Sequence, residues 1–193
     1  MIAGRPAGVR RAPALVIAVG VAAALRAVAG GPSPAASPPA AVLFTALLAA
    51  AAVWGGTRLT ALSWRDVALG IAGGAALVAV AWAGIPALVV APRAAASTML
   101  WWGPLVTVVA AAEELVLRGV LFEALGTRFG DATAVAATAL LFAVIHVPLY
   151  GTAALPLDLC AGVFLGCLRV ASGGVTAPLV AHVLADLSTG WLG

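Results

Sequence analysis

Long apolar runs alternate along the chain with short breaks that are rich in glycine and proline. Runs of about 17–25 apolar residues have the length that a helix needs to cross a bilayer. We identify seven of them, at roughly residues 13–31, 39–55, 66–91, 98–122, 131–149, 154–170 and 174–191. The breaks between them are Gly30–Pro39, Gly55-Gly56, Pro92, Gly130 and Gly173-Gly174. The pattern therefore predicts an all-α fold, a polytopic transmembrane helical bundle with about seven spans.

The composition supports this prediction. Of the 193 residues, 64% are hydrophobic and 9% are charged, against about 25% charged in a typical soluble domain. The ten basic residues are all arginines, and they are scattered singly instead of forming the patch that phosphate binding requires. We therefore expect the surface to contact a lipid bilayer and expect no nucleic-acid partner. Cys160 and Cys167 would lie about 10 Å apart on one helix, which is too far for a disulfide.

The arginines also predict an orientation, because cytoplasmic loops are enriched in basic residues. With a cytoplasmic N-terminus, the inner side receives Arg5, Arg10, Arg11, Arg58, Arg65, Arg128 and Arg169. The outer side receives only Arg26 and Arg93. The small residues Ala27–Ala29 leave a cleaved signal peptide open as an alternative. A retained first helix is favoured, because six further spans follow and need no leader.

Ionisable residues lie inside three of the predicted spans, where hydrocarbon is expected. They are Glu113, Glu114 and Arg118 in the fourth span, His146 in the fifth, and His182 and Asp186 in the seventh. An acid or arginine at a helix centre costs about 2.5–3.5 kcal/mol on insertion scales. Such residues mark functional sites by default in membrane proteins. We therefore expect them to converge on one polar site.

The spacing of these residues predicts how they are used. Glu114 and Arg118 are four apart, in the order that favours a helical ion pair. Glu113 is rotated by about 100° from Glu114, so we expect it to be free to face a reaction centre. If the fourth and fifth helices turn at Gly130, Glu113 and His146 lie at similar depth. His182 follows its own turn more closely, so either helix tilt or a recessed turn must bring it level with them.

These residues resemble the three motifs of the CPBP family, which comprises the type II CAAX prenyl endopeptidases and related bacteriocin-processing or self-immunity proteins. The family patterns are EExxxR, FxxxH and HxxxN or HxxxD. Here they read Glu113-Glu114 with Arg118, Phe142 with His146, and His182 with Asp186. The resemblance covers roughly residues 98–190, a CAAX-protease-like catalytic core. Residues 1–97 are predicted to be membrane spans without a motif.

The resemblance implies an intramembrane endopeptidase of the bacterial plasma membrane that acts on a membrane-associated peptide or protein. It implies that Glu113 and His146 activate a water and that His182 and Asp186 stabilise the oxyanion. Arg118 would hold Glu114 and the local helix, and Phe142 would position His146. We expect no metal cofactor. Zinc held by Glu113, His146 and His182 is the alternative, although the chain has no HExxH motif.

Asp186 departs from the many relatives that carry asparagine at this position. An ionised aspartate repels an oxyanion, so Asp186 would act either as a protonated donor or by holding His182 as an imidazolium. Two other functions stay open from the residues alone. One is a non-proteolytic immunity or scaffold protein, in which the polar cluster only supports packing. The other is a proton-coupled transporter, which the nearly apolar early spans disfavour. Asp158 and Arg169 are interpreted as helix-end residues.

Overall fold

Helices make up nearly all of the computed structural model, which describes residues 7–31, 36–57, 63–84 and 96–192. No β-strand occurs in these ranges. The α-helices are α1 (Ala7–Gly30), α2 (Pro38–Gly55), α3 (Trp64–Gly84), α4 (Ala96–Glu114), α5 (Phe122–Phe129), α6 (Asp131–Tyr150), α7 (Leu155–Ser172) and α8 (Thr176–Leu192). A π-helical segment, Leu115–Leu121, joins α4 to α5, and a short 3₁₀ turn, Thr152–Ala154, precedes α7. The predicted all-α class is confirmed.

Four helical stretches of the described residues are long and apolar enough to cross a membrane. They are Arg11–Gly30, Pro38–Gly55, Asp131–Tyr150 and Thr152–Ser172. The other three predicted spans fall on α3, on the run from α4 to α5, and on α8, and as membrane crossings they stay predictions. Residues 85–91 of the predicted third span lie outside the described residues, as do Pro92, Arg93, Arg58 and Arg5.

Glycines end three of the helices where the sequence predicted breaks. Gly56, Gly130 and Gly173 have φ angles of +83°, +84° and +70°, a backbone region that favours glycine because it has no Cβ. The fourth span was predicted to end at residue 122, but the helical run continues to Phe129. The apolar segment stops earlier than the helix does, because α5 carries the polar residues Glu123, Thr127 and Arg128 before Gly130 ends it.

Close helix contacts at glycine hold the bundle around the polar cluster. A Cβ added to Gly162 of α7 would lie 2.9 Å from Cα of Ala139 on α6. On α3, a Cβ at Gly70 would lie 2.7 Å from the carbonyl oxygen of Ala177 on α8. Small residues at helix interfaces allow backbones to approach in membranes, where the hydrophobic effect does not drive helices together. These contacts set the positions of α7 and α8 beside α6 and α3.

The turn between α7 and α8 is recessed into the protein. Gly174 and Val175 are buried there. The hydroxyl of Ser172 donates to the Gly174 carbonyl at 2.9 Å and also lies 2.8 Å from the Leu168 carbonyl. Because α8 starts inside the bundle, His182 lies deep in the protein only a few residues after the turn. A recessed turn was one of the two predicted ways to bring His182 level with Glu113 and His146, and the burial of Gly174 and Val175 supports it. Helix tilt, the other way, stays a prediction.

Candidate active site

The site begins where α4 changes into the π-helical segment. Glu113 and Glu114 are the last two residues of α4, and Arg118 lies in the π segment. A π turn is rare and occurs most often at functional sites, since it shifts the backbone hydrogen bonds by one residue. Here the carbonyl of Arg118 accepts a hydrogen bond from Nε of Arg169 at 2.9 Å. The irregular turn is thus tied to α7.

Glu114 and Arg118 form a fully buried ion pair, each side chain being 0% exposed. Nη1 of Arg118 donates to Oε1 of Glu114 at 2.7 Å, and Nη2 donates to the Gly162 carbonyl at 3.0 Å. The guanidinium also lies over the ring of Phe142, 4.9 Å from its centroid. The predicted pairing of these residues is present, and Arg118 connects α7 and α6 to the π segment.

His182 connects α8 to both glutamates. Its Nδ1 lies 2.9 Å from Oε1 of Glu114, and its Nε2 lies 3.8 Å from Oε2 of Glu113. Oδ2 of Asp186, one turn further along α8, is 3.6 Å from the same Nε2. Both glutamates therefore lie beside His182, Glu114 at hydrogen-bond distance and Glu113 at 3.8 Å. That Glu113 faces a reaction centre stays a prediction.

His146 is positioned by its own helix and by Phe142. Its Nδ1 lies 2.7 Å from the Phe142 carbonyl oxygen. A carbonyl only accepts hydrogen bonds, so Nδ1 carries the proton and Nε2 of the neutral ring has a free lone pair. The Phe142 ring lies between the two imidazoles, with centroids 4.4 Å from His146 and 5.4 Å from His182. Phe142 thereby brings α6 and α8 to one centre.

The centre is buried but has an open side. Glu113 is 2% exposed, His146 is 8% exposed and His182 is 5% exposed. The side chain of Asp186, in contrast, is 32% exposed. Tyr150, at the end of α6, is exposed and stacks on His146 with ring centroids 5.8 Å apart. Asp186 and Tyr150 therefore form the accessible edge of the buried centre.

The described residues bring together Glu113, Glu114, Arg118, Phe142, His146, His182 and Asp186. Two charged residues near this group, Asp158 and Arg26, were predicted to lie elsewhere. Asp158 lies in the first turn of α7, as predicted, yet its Oδ2 is buried without a hydrogen-bond partner among the described residues. Arg26 was counted as an outer-side charge, but it is 6% exposed inside the bundle. Both are charged residues within apolar sequence, and the same pattern identified Glu113 as a candidate site residue.

Zinc held by Glu113, His146 and His182 was the alternative to a site without a metal, and it stays a prediction. Within the described ranges, no group of three or more His, Cys, Asp or Glu side chains has an arrangement that could hold a metal ion. Nδ1 of His182 lies 2.9 Å from Oε1 of Glu114, so it donates a hydrogen bond to that carboxylate. Nε2 lies 3.8 Å from Oε2 of Glu113, which is too far for a hydrogen bond.

Comparison with protein families gives one match to the chain. A family model described as type II CAAX prenyl endopeptidase Rce1-like matches residues 95–188. No curated protein and no solved structure matches the chain. The matched residues include every side chain of the buried polar centre described above.

Proposed function

Residues 95–188 of this chain belong to the type II CAAX prenyl endopeptidase Rce1-like family, and on this premise we propose an intramembrane endopeptidase that cleaves a membrane-associated peptide with a glutamate-activated water. The observation that carries the proposal is the burial of three side chains at one place: His146 and His182 both contact the ring of Phe142, and Glu113 lies 3.8 Å from His182. Amide hydrolysis needs a base for water and donors for the developing oxyanion, and this centre contains both.

Glu113 is the proposed base. Its carboxylate accepts a proton from a bound water while the water oxygen forms a bond to the scissile carbonyl carbon. The proton passes to the amide nitrogen as the C–N bond breaks, which gives an amine and a carboxylic acid. Nε2 of His146, which has a free lone pair when Nδ1 donates to Phe142, accepts the second hydrogen bond of the same water and orients it.

His182 is the proposed oxyanion donor. Its Nδ1 is bonded to Glu114, so Nε2 is the nitrogen that faces Glu113 and the open side. Asp186 is 3.6 Å from Nε2, which supports the role of holding His182 as an imidazolium. In that role an aspartate replaces the asparagine of many relatives without having to donate a hydrogen bond itself. Arg118 holds Glu114 in place through its hydrogen bond, and Glu114 in turn orients His182.

The proposal predicts that Glu113→Gln abolishes peptide cleavage. The amide has the shape of the carboxylate but cannot accept the proton, so we expect kcat to fall by about 10²–10⁴, the usual contribution of a general base. The measurement is cleavage of a set of internally quenched peptides by the purified protein in detergent. His146→Ala should also lose most of the activity.

Glu123→Gln is the matched control, because Glu123 is an exposed carboxylate on the same helical run and lies outside the centre. It should cleave as the wild type does, and circular dichroism should give equal helix content for all variants. Equal cleavage by wild type, Glu113→Gln and His146→Ala would instead favour a non-proteolytic scaffold, in which these side chains only pack.

A further inference from the structure

Arg26 is a buried cation outside the segment that matches the family. It lies in α1, about one turn before the helix ends at Gly30, and it is 6% exposed. Its guanidinium packs 4.9 Å from the centroid of the Phe44 ring on α2. Its Nε is buried and, like the Nε of Arg118, has no hydrogen-bond partner among the described residues. A cation–π contact alone compensates only part of the desolvation of a buried guanidinium.

Arg26 has fewer partners than Arg118, the other buried arginine near the centre. Both arginines are buried and both lie over a phenylalanine ring at 4.9 Å. Arg118 also has a carboxylate at 2.7 Å and a carbonyl at 3.0 Å. No carboxylate of the described residues lies within ion-pair distance of Arg26. Buried arginines in proteins are normally paired, so Arg26 has the environment of a residue whose anionic partner comes from outside the chain.

The position of Arg26 would place a bound anion near the reaction centre. Its helix, α1, packs against α6 and against the π-helical segment, which carry His146, Tyr150 and Arg118. The charge of Arg26 also acts on Glu113 and on Tyr150. Tyr150 stacks on His146 and lies at the open side of the centre. An anion bound by Arg26 would therefore lie beside the path by which a peptide reaches Glu113 and His146.

We propose that Arg26 forms a carboxylate-binding subsite beside Glu113, which takes a carboxylate of the substrate peptide and so selects where the peptide is cut. The proposal rests on the proposed endopeptidase function. The guanidinium is planar and matches a carboxylate with two parallel hydrogen bonds, which fixes the orientation of the bound group. On a peptide that carboxylate is either the C-terminal group or an acidic side chain.

Three versions of one apolar quenched peptide distinguish these two sources: one with a C-terminal amide, one with a free C-terminal carboxylate, and one amidated peptide with a single added glutamate. We expect wild-type kcat/KM to be about tenfold higher for one of the two acidic peptides than for the neutral peptide, as one charge-assisted contact implies. Arg26→Gln should bring that ratio close to one. Arg26→Lys, which keeps the charge but loses the planar fork, should give an intermediate ratio.

Arg11→Gln is the matched control on the same helix. Arg11 lies at the other end of the α1–α2 pair, where Nη1 donates to the Trp54 carbonyl at 2.9 Å, and its substitution should leave the ratio at the wild-type value. Absence of any preference in the wild type, or a preference that Arg26→Gln and Arg26→Lys both retain, would overturn the subsite.

A binding experiment separates this proposal from the catalytic one. In the Glu113→Gln background, fluorescence anisotropy gives the Kd of each labelled peptide without cleavage. The same preference of about tenfold should appear there and should disappear in Glu113→Gln with Arg26→Gln. Equal Kd values for all three peptides would overturn the subsite even if Glu113 proves to be the base. Full cleavage by Glu113→Gln would overturn the catalytic proposal, whatever the Kd values show about Arg26.

Discussion

Oε1 of Glu114 is the atom on which the charged centre depends. It accepts a hydrogen bond from Arg118 at 2.7 Å and lies 2.9 Å from Nδ1 of His182. Arg118 therefore stabilises the Glu114 carboxylate, and that carboxylate orients the imidazole of His182. Because all three side chains are almost fully buried, none of them can replace a lost partner by water. The three side chains therefore behave as one unit.

The loss of both partners should cost less than the sum of the two single losses. Arg118→Gln leaves the Glu114 carboxylate buried without its cation, and we expect the free energy of unfolding to fall by about 3–5 kcal/mol. Glu114→Gln with Arg118→Gln removes both charges, so its loss should be smaller than the sum of the single losses. The measurement is reversible unfolding in mixed micelles, arranged as a double-mutant cycle. Additive losses would mean that the two residues are not coupled.

At the scale of elements, the contact between α6 and α7 sets the position of the π segment. Gly162 has two functions there. Its missing side chain lets α7 approach Ala139, and its carbonyl accepts the hydrogen bond from Arg118. Gly166, one turn further, lies against Val135 in the same way, because a Cβ there would meet the Val135 side chain at 3.0 Å. The helix spacing and the geometry of the ion pair therefore depend on the same residue.

Gly162→Ala should separate α7 from α6. The added Cβ would lie 2.9 Å from a backbone atom of Ala139, which cannot rotate away, and overpacking of this kind costs about 1–3 kcal/mol. We expect a lower thermal midpoint and, because the Arg118 hydrogen bond lengthens, a lower kcat. Gly20→Ala is the control, since a Cβ at Gly20 meets no atom within 4 Å. Equal melting curves for both variants would contradict the packing role of Gly162.

For the whole molecule, the sequence predicted the parts that depend on one helix at a time. The breaks at Gly56, Gly130 and Gly173 end helices, because each needs a backbone conformation that glycine readily adopts. The spacing of Glu114 and Arg118 predicted their ion pair, because both residues lie on one helical run. The recognition of the family is confirmed over residues 95–188. In each case the prediction rests on residues close together in one helical run, and the family is recognised from three such motifs.

Contacts between helices could not be predicted from such spacing. His182 and Glu114 are 68 residues apart, and nothing in either motif indicates that one imidazole contacts both glutamates. Helix-by-helix reading likewise assigned Arg26 to an outer surface, because a single arginine near the end of a span resembles a topology signal. Its burial depends on α2, where Phe44 covers the guanidinium. The π segment also escaped prediction, since its widened turn is stabilised by Arg169 from a distant helix.

The burial of Arg26 sharpens the predicted orientation, because a cation inside the bundle does not count among the loop charges. Positive-inside bias then predicts that the turn at Gly130 faces the cytoplasm and that the turn at Gly151 faces outward. Asp131→Cys and Thr152→Cys, both at exposed positions beside these turns, test this in a background with Cys160→Ser and Cys167→Ser. In intact cells, a membrane-impermeant maleimide should label the cysteine at position 152 and should label the one at position 131 only after permeabilisation. The reverse pattern would invert the orientation, and with it the side from which a peptide reaches Tyr150 and Asp186.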